Sequence, residues 1–401
     1  MTTGWRRWAP SIVMMLCSWL SYVDRHMLAV LAPLILAQIG LNAEAYGRVV
    51  AAFSFAYMLA NPLWGSLIDR IGVRAGMMAA VSLWSAASAA HALMTTAWGF
   101  AVARALLGFG EGATFPGGLR TAVESLPADR QSRGIAIAYS GGSLGAILTP
   151  LMVTPVALLW GWRAAFVLTG LLGLLWLPLW WAVTRTPHFG RVTRSPAWRW
   201  PDPRQGRFWA LAGCYALGAG AIGPVLYLSP LYLNQVLGLS QQELGRLLWI
   251  PPLGWELGYF LWGWIVDLQT ARHRRPLALL WLMATLAIPI VVLPALKSPA
   301  AVLALLFWTL FVGSGFIVFS LRTAVLMFGA HQTALVAGIG AGAWSALVMI
   351  LLPLLGRWFD YKDYQRIFTL LAVLPQAGAL VWTLCSRHGQ ARQQVGRSAS
   401  S

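Results

Sequence analysis

Apolar residues run along this chain in long stretches, separated by short polar segments. A membrane-spanning helix needs about 20 mostly apolar residues. Windows of that kind cover 10–36, 44–68, 75–95, 97–123, 132–156 and 162–184. After a polar stretch they resume at 208–233, 243–267, 276–296, 300–328, 333–356 and 366–386. The pattern predicts an all-α integral membrane protein of twelve transmembrane helices, and an even number puts both termini on one side.

The polar segments orient the chain. One alternate set comprises the N-terminus, 69–74, 120–133, 185–207, 268–275 and the C-terminus; it holds roughly 19 basic residues against roughly 7 in the other, so by the positive-inside rule it is cytoplasmic. The longest interruption, 185–207, is rich in Pro and Arg and divides the chain six spans to six. The expected organisation is a half over 1–184, a basic cytoplasmic linker over 185–207, a half over 208–386 and a cytoplasmic tail over 387–401.

Composition supports this reading. Of 401 residues 58% are hydrophobic and 10% charged, where a soluble chain carries about a quarter charged. The net charge of +17 comes almost wholly from arginine. Because those arginines sit between apolar stretches, they serve topology and leave nucleic acid without a case as a partner. Cys17, Cys214 and Cys385 lie far apart with no Cys/His cluster, so neither a metal site nor a disulfide framework is indicated. The basic-then-apolar start resembles a signal peptide, but the run continues through Asp24 and Arg25 and is read as a retained first span.

"WGSLIDRIGVR" at 64–74 is echoed by "WGWIVDLQTAR" at 262–272, half the chain later. Each half thereby carries one acid, Asp69 or Asp267, at the cytoplasmic end of an equivalent helix. "GSLIDRIGVR" at 65–74 strongly resembles the loop motif of the major facilitator superfamily. That resemblance implies the major facilitator fold, two pseudo-symmetric six-helix halves with the ligand between them. It also implies a gating role for Gly65, Asp69, Arg70, Arg74 and Asp267, with Gly65 permitting close packing and Asp69 pairing with a basic residue or helix end.

"SYVDRHMLAVLAPLI" in span 1, "GFGEGATFPGG" in span 4 and "GWRAAF" before span 6 resemble the anion:cation symporter family, with hexuronate and other sugar-acid permeases nearest. The likeness runs through most of the N-terminal half and thins afterwards. It implies a small organic anion as cargo, a proton as the driving ion, no cofactor, a monomeric bundle and the bacterial inner membrane as its place.

The charges inside the spans suggest the chemistry. An Arg or Asp at a helix centre costs roughly 2.5–3.5 kcal/mol. Asp24 and Arg25 point about 100° apart, so each needs a different neighbour or a water-facing cavity. In span 4, Arg104, Gly108, Glu111 and Phe115 recur along one helical face. Arg104 and Glu111 lie about 10 Å apart, too far for an easy pair but suited to lining a cavity together. Burial of Glu111 penalises its charged form, which suits a group that loads and releases a proton. Arg25 is the candidate for the substrate carboxylate, because its guanidinium is a permanent cation with forked donors. Asp24 and Glu111 are the candidate proton-coupling pair, with Arg104 beside them at the substrate. Tyr22 and Tyr57 match family positions and could offer hydroxyls to a polyol. His26 lies on a third face and is read as a packing residue.

Candidates are fewer in the C-terminal half. Glu256 is a lone acid in span 8, Arg322 lies toward the cytoplasmic end of span 10, and Ser314, Trp344 and Ser345 are placed near a substrate by position alone. The leading reading is a proton-coupled importer of a sugar acid. An uncoupled or exchange-type carrier, drug efflux included, and a transport-inactive sensor stay open. An intramembrane enzyme lacks support, since no HExxH, nucleophile–base pair or His cluster falls within the spans.

Overall fold

The computed structural model describes residues 7–127, 130–185, 189, 203–271, 276–328 and 333–398. Most of the expected linker 185–207 and the side chains beyond residue 386 lie outside what is described. Among the described residues the regular structure is helical, with no strand.

Every apolar window coincides with a helical stretch. In the first half these are α1 (Ala9–Val30) with α2 (Ala32–Ile39), α3 (Ala43–Ile71), α4 (Val73–Ala90), α5 (Ala97–Glu111) with α6 (Thr114–Ser125), α7 (Gln131–Trp160) and α8 (Trp162–Thr184). The rest are α9 (Gly206–Gly218) with α10 (Ile222–Gln235), α11 (Gln241–Leu247) with α12 (Ile250–Ala271), α13 (Pro276–Ala287), α14 (Pro299–Phe328), α15 (Thr333–Asp360) and α16 (Tyr364–Ser398). Among the described residues seven stretches are long and apolar enough to cross a bilayer unaided, and eight if α1 and α2, bent by 53°, count as one. The remaining windows hold polar or helix-breaking residues: Asn61 and Pro62, Ser85 and Ser88, the Gly112 break, Pro251, Pro252 and Glu256.

Several spans are broken part-way. Broken backbone at membrane depth survives only where protein or a water-lined cavity covers it. The residues at three of the breaks, Leu31, Ala113 and Ala219, are all fully buried. The second break falls immediately after Glu111, so this carboxyl sits at the C-terminal end of α5.

The chain forms two compact units: Met1–Ala197 with Tyr227–Trp249 and Leu352–Gly356, and Trp198–Leu226 with Ile250–Leu351 and Arg357–Ser401. In the first, α1 is seated on α7 at a glycine stripe. A side chain at Gly145 would meet the Trp19 carbonyl at 2.7 Å, and one at Gly142 the Tyr22 ring at 2.8 Å. Ser18 donates to the Ala138 carbonyl at 2.6 Å, and Trp176 on α8 to that of Val13 at 2.7 Å. The 227–249 segment joins this unit through polar contacts. Tyr46 donates to the Tyr227 carbonyl at 3.0 Å, and Gln241 to that of Val30 at 2.9 Å. In the second unit α12 packs on α14, with Trp262 donating to the Phe311 carbonyl at 2.9 Å.

The glycines correct one expectation. A Cβ at Gly65 would find nothing nearer than Pro116 Cβ at 3.8 Å, so this motif glycine does not enforce close packing. Gly108 does: its Cβ would lie 2.5 Å from the Phe53 carbonyl oxygen, where α5 crosses α3. Gly108→Ala is therefore expected to destabilise by about 1–3 kcal/mol through overpacking. Gly65→Ala should be neutral or gain up to about 1 kcal/mol in helix propensity. Thermal unfolding in detergent, followed by tryptophan fluorescence, distinguishes the two; equal midpoints for both variants would contradict the packing assigned to Gly108.

Candidate functional site

The α1 turn over residues 21–26 carries the polar groups of the first unit into its interior. Asp24 is 1% exposed and Arg25 8%. As their helical spacing requires, they diverge. Asp24 points to α4 and α8, where Ser88 donates to its Oδ1 at 2.6 Å and Ser88 and Thr169 share a hydrogen bond at 3.0 Å. Arg25 points to α3 and α5. Its Nη2 and Nε reach Glu111 Oε2 at 3.0 and 3.3 Å, and Ser21 donates to the same oxygen at 2.9 Å.

The end of α5 fixes what Glu111 needs. A carboxylate there meets the negative end of the helix dipole, and Arg25 supplies the compensating cation. The faces of that guanidinium are covered by aromatic rings, Tyr22 and Tyr57 at 4.7 Å and Phe53 at 5.1 Å. Each such contact contributes about 0.5–2 kcal/mol. Tyr57 and Phe53 are themselves stacked, 5.7 Å between centroids.

Arg104, about two turns before Glu111, is 2% exposed and does not pair with it. Its Nη1 donates to the Asp24 backbone carbonyl at 3.2 Å, and its Nε and Nη2 find no acceptor among the described residues. Those two nitrogens form one edge of the guanidinium, the edge that binds a carboxylate with two parallel hydrogen bonds. Asp24 Oδ2, Glu111 Oε1 and His26 Nε2 also lack partners among the described residues. The site thus contains one arginine fork closed on a carboxylate and one open, with two carboxyls each holding one oxygen uncommitted. That set can take an organic anion and exchange protons.

One expectation changes. Phe115 does not continue the Arg104–Glu111 face, because the break after Glu111 puts it on α6, where it is 38% exposed and packs on Tyr139. Gly108 receives the backbone of a facing helix, α3. His26 packs, its ring lying between Tyr22 at 5.9 Å and Tyr227 at 6.3 Å, within the cluster.

The motif residues stand apart from this cluster. Asp69 pairs with Arg120 on α6 at 3.4 Å, and Arg120 also holds Glu124 at 2.7 Å. Arg74 donates to the Thr184 carbonyl, while Arg70 is exposed. In the second unit Asp267 pairs with Arg322 on α14 at 3.4 Å. The two acid–arginine pairs repeat one arrangement in the two units, which places Arg322 at the motif acid. Glu256 is half-buried on α12. Ser314 donates to the Phe311 carbonyl at 2.8 Å, Trp344 to that of Ala219 at 3.2 Å, and Ser345 is buried.

Sequence reasoning missed Ser21, Phe53, Ser88, Arg120, Thr169 and Tyr227. Arg120 alone had a usable signal, since it follows Asp69 at nearly the distance by which Arg322 follows Asp267. No three His, Cys, Asp or Glu side chains converge as a metal ion would need among the described residues.

Comparison with known proteins follows the same lines. A family model described as Major Facilitator Superfamily matches residues 14–353. The hexuronate transporter of Escherichia coli strain K12 is 27% identical over 414 residues, covering 94% of this chain and 94% of that one. The galacturonate transporter of Dickeya chrysanthemi is 28% identical, covering 61% of this chain and 77% of that one. Among solved structures, a bacterial homolog of the human lysosomal transporter Spinster, in an inward-facing and occupied conformation, aligns with a TM-score of 0.80 at 16% identity. That alignment covers 94% of this chain and 96% of the other; the likeness is one of fold.

Proposed function

This chain belongs to the major facilitator superfamily, and we propose that it is a proton-coupled symporter importing a small organic anion, a sugar acid of hexuronate or aldonate type, by alternating access. It is an integral membrane transporter, not an enzyme. We place it as a monomer in the bacterial inner membrane, both termini cytoplasmic, with six-span halves joined through 185–207.

One observation carries the reading: of two buried arginines, Arg25 has its fork closed on Glu111 and Arg104 has the corresponding edge open. The open edge receives the substrate carboxylate. A proton on Glu111 removes the charge that holds Arg25, freeing a second fork for the anion, while Tyr22 and Tyr57 border the same guanidinium and offer hydroxyls to a polyol. Binding of the anion and of the proton thereby favour each other, which is what symport requires. Asp24 is the second proton-carrying group. Asp69–Arg120 and Asp267–Arg322, with Arg70 and Arg74, are gating contacts that exchange as the carrier changes face. The identity of the hexuronate and galacturonate relatives supports the substrate class.

Proteoliposome uptake tests this directly. With an inward gradient of one pH unit, a monoanion carried with one proton accumulates about tenfold. Glucuronate, galacturonate and galactonate are compared with glucose and inorganic phosphate, with and without a protonophore. Accumulation of a sugar acid that collapses with the gradient is the expected result. Uptake of no acid, or uptake indifferent to the gradient, overturns the proposal, the latter in favour of exchange.

A further inference from the structure

Asp24 is enclosed by helices with very little charge to offer. The groups that face it from α5 are Arg104, bonded to its backbone carbonyl, and the Glu111 carboxyl farther along. From α4 comes Ser88 and, just past its end, His91, whose Nδ1 is tied to the Ala87 carbonyl at 2.7 Å and whose ring stacks on Phe166 at 4.9 Å. From α8 come Thr169 and Phe166, neither titratable. The stretch of α7 against this turn of α1 presents the glycines of the 141–145 stripe. Arg25 and His26, on α1 itself, turn to other faces.

The carboxyl's side-chain partner is therefore a hydroxyl, and behind it stands another. Ser88 is fully buried and lies 2.6 Å from Asp24 Oδ1; Thr169 is 3% exposed and lies 3.0 Å from Ser88. A serine on a helix ordinarily bonds back to its own preceding turn. Ser88 instead gives its one hydrogen across to another helix, and Thr169 has one hydrogen to divide between the Phe166 carbonyl at 3.3 Å and the Ser88 oxygen.

We propose that Ser88 and Thr169 are positioning residues that set the pH at which Asp24 releases its proton, Ser88 by its hydrogen bond to the carboxyl and Thr169 by bonding Ser88 beside it. A hydrogen bond to an ionised acceptor is about twice as strong as one to a neutral acceptor. Ser88 therefore favours the carboxylate over the acid. With its hydrogen turned from the Phe166 carbonyl to the Ser88 oxygen, Thr169 polarises the Ser88 hydrogen toward Asp24, because hydrogen bonds in a chain reinforce one another. This rests on the reading of Asp24 as a proton carrier.

The test titrates the infrared carbonyl band of the protonated Asp24 carboxyl in full-length protein in detergent, the band being identified as the one lost in Asp24→Asn. This readout needs no turnover and is indifferent to the amount of folded protein. Ser88→Ala should move the midpoint to alkaline pH by about one unit. Thr169→Val should move it the same way by less, and Thr169→Ser should restore it. Unmoved midpoints overturn the inference while leaving Asp24 as a proton carrier. If Asp24→Asn removes no band, the proton-carrier reading of Asp24 falls and this inference with it.

Discussion

Arg25→Ala is expected to reduce sugar-acid uptake to below about 1% of the unsubstituted protein, a loss of roughly 3 kcal/mol or more. It removes the cation beside the substrate and the one that compensates Glu111. Stripping one partner from a buried ion pair costs about 3–5 kcal/mol, because the other charge stays behind without compensation. Among the described residues only Ser21 would still donate to Glu111. A lower unfolding temperature should therefore accompany the lost transport. The two effects separate in Arg25→Ala combined with Glu111→Gln: removing both charges should recover much of the unfolding temperature and none of the uptake. Arg25→Lys keeps a charge but not a fork, and should transport with a raised KM. Uptake in proteoliposomes and thermal unfolding in detergent supply both readouts. Normal transport by Arg25→Ala would show that the anion is held elsewhere.

The parts of this molecule that could be read from sequence are those governed by transfer free energy. Each apolar window became helical because unpaired backbone at that depth is too costly. The charges within α1 and α5 were conspicuous for the same reason. Even the divergence of Asp24 from Arg25 followed from helical spacing alone. What spacing along one helix does not contain is the neighbour on another. Ser21, Ser88 and Thr169 are ordinary small polar residues in apolar stretches, with nothing in their own segments to mark them as partners of Asp24 or Glu111. Phe115 was misplaced by carrying a helical face through the break between α5 and α6, where Gly112 packs closely on Ala60. Gly65 misled because the loop-motif glycine was taken for a packing glycine, while Gly108 on α5 does that work. The Asp69–Arg120 and Asp267–Arg322 pairs show the opposite case: an internal repeat does carry cross-helix information, and comparing the two acids' downstream arginines finds the contact.

Glu111→Gln is expected to uncouple the carrier rather than to silence it. The amide matches the protonated acid in shape and charge. Its oxygen can accept from Ser21 and from one Arg25 nitrogen, so the end of α5 should keep its structure. It cannot release or take up a proton. Arg25 would then be held only by a neutral acceptor, as in the substrate-ready state proposed here, and the anion would bind and cross in either direction without a proton. Counterflow of labelled against unlabelled sugar acid should persist within about threefold, since no transition-state contact is removed. Gradient-driven accumulation should vanish, a loss of about tenfold for each pH unit imposed. Arg25→Ala fails in both assays, so the pair of variants separates anion binding from proton coupling. Accumulation by Glu111→Gln equal to that of the unsubstituted protein would remove Glu111 from the proton path. Asp24 would then have to perform alone the step that frees Arg25, although its hydroxyl partners and Arg25 point to different faces of α1.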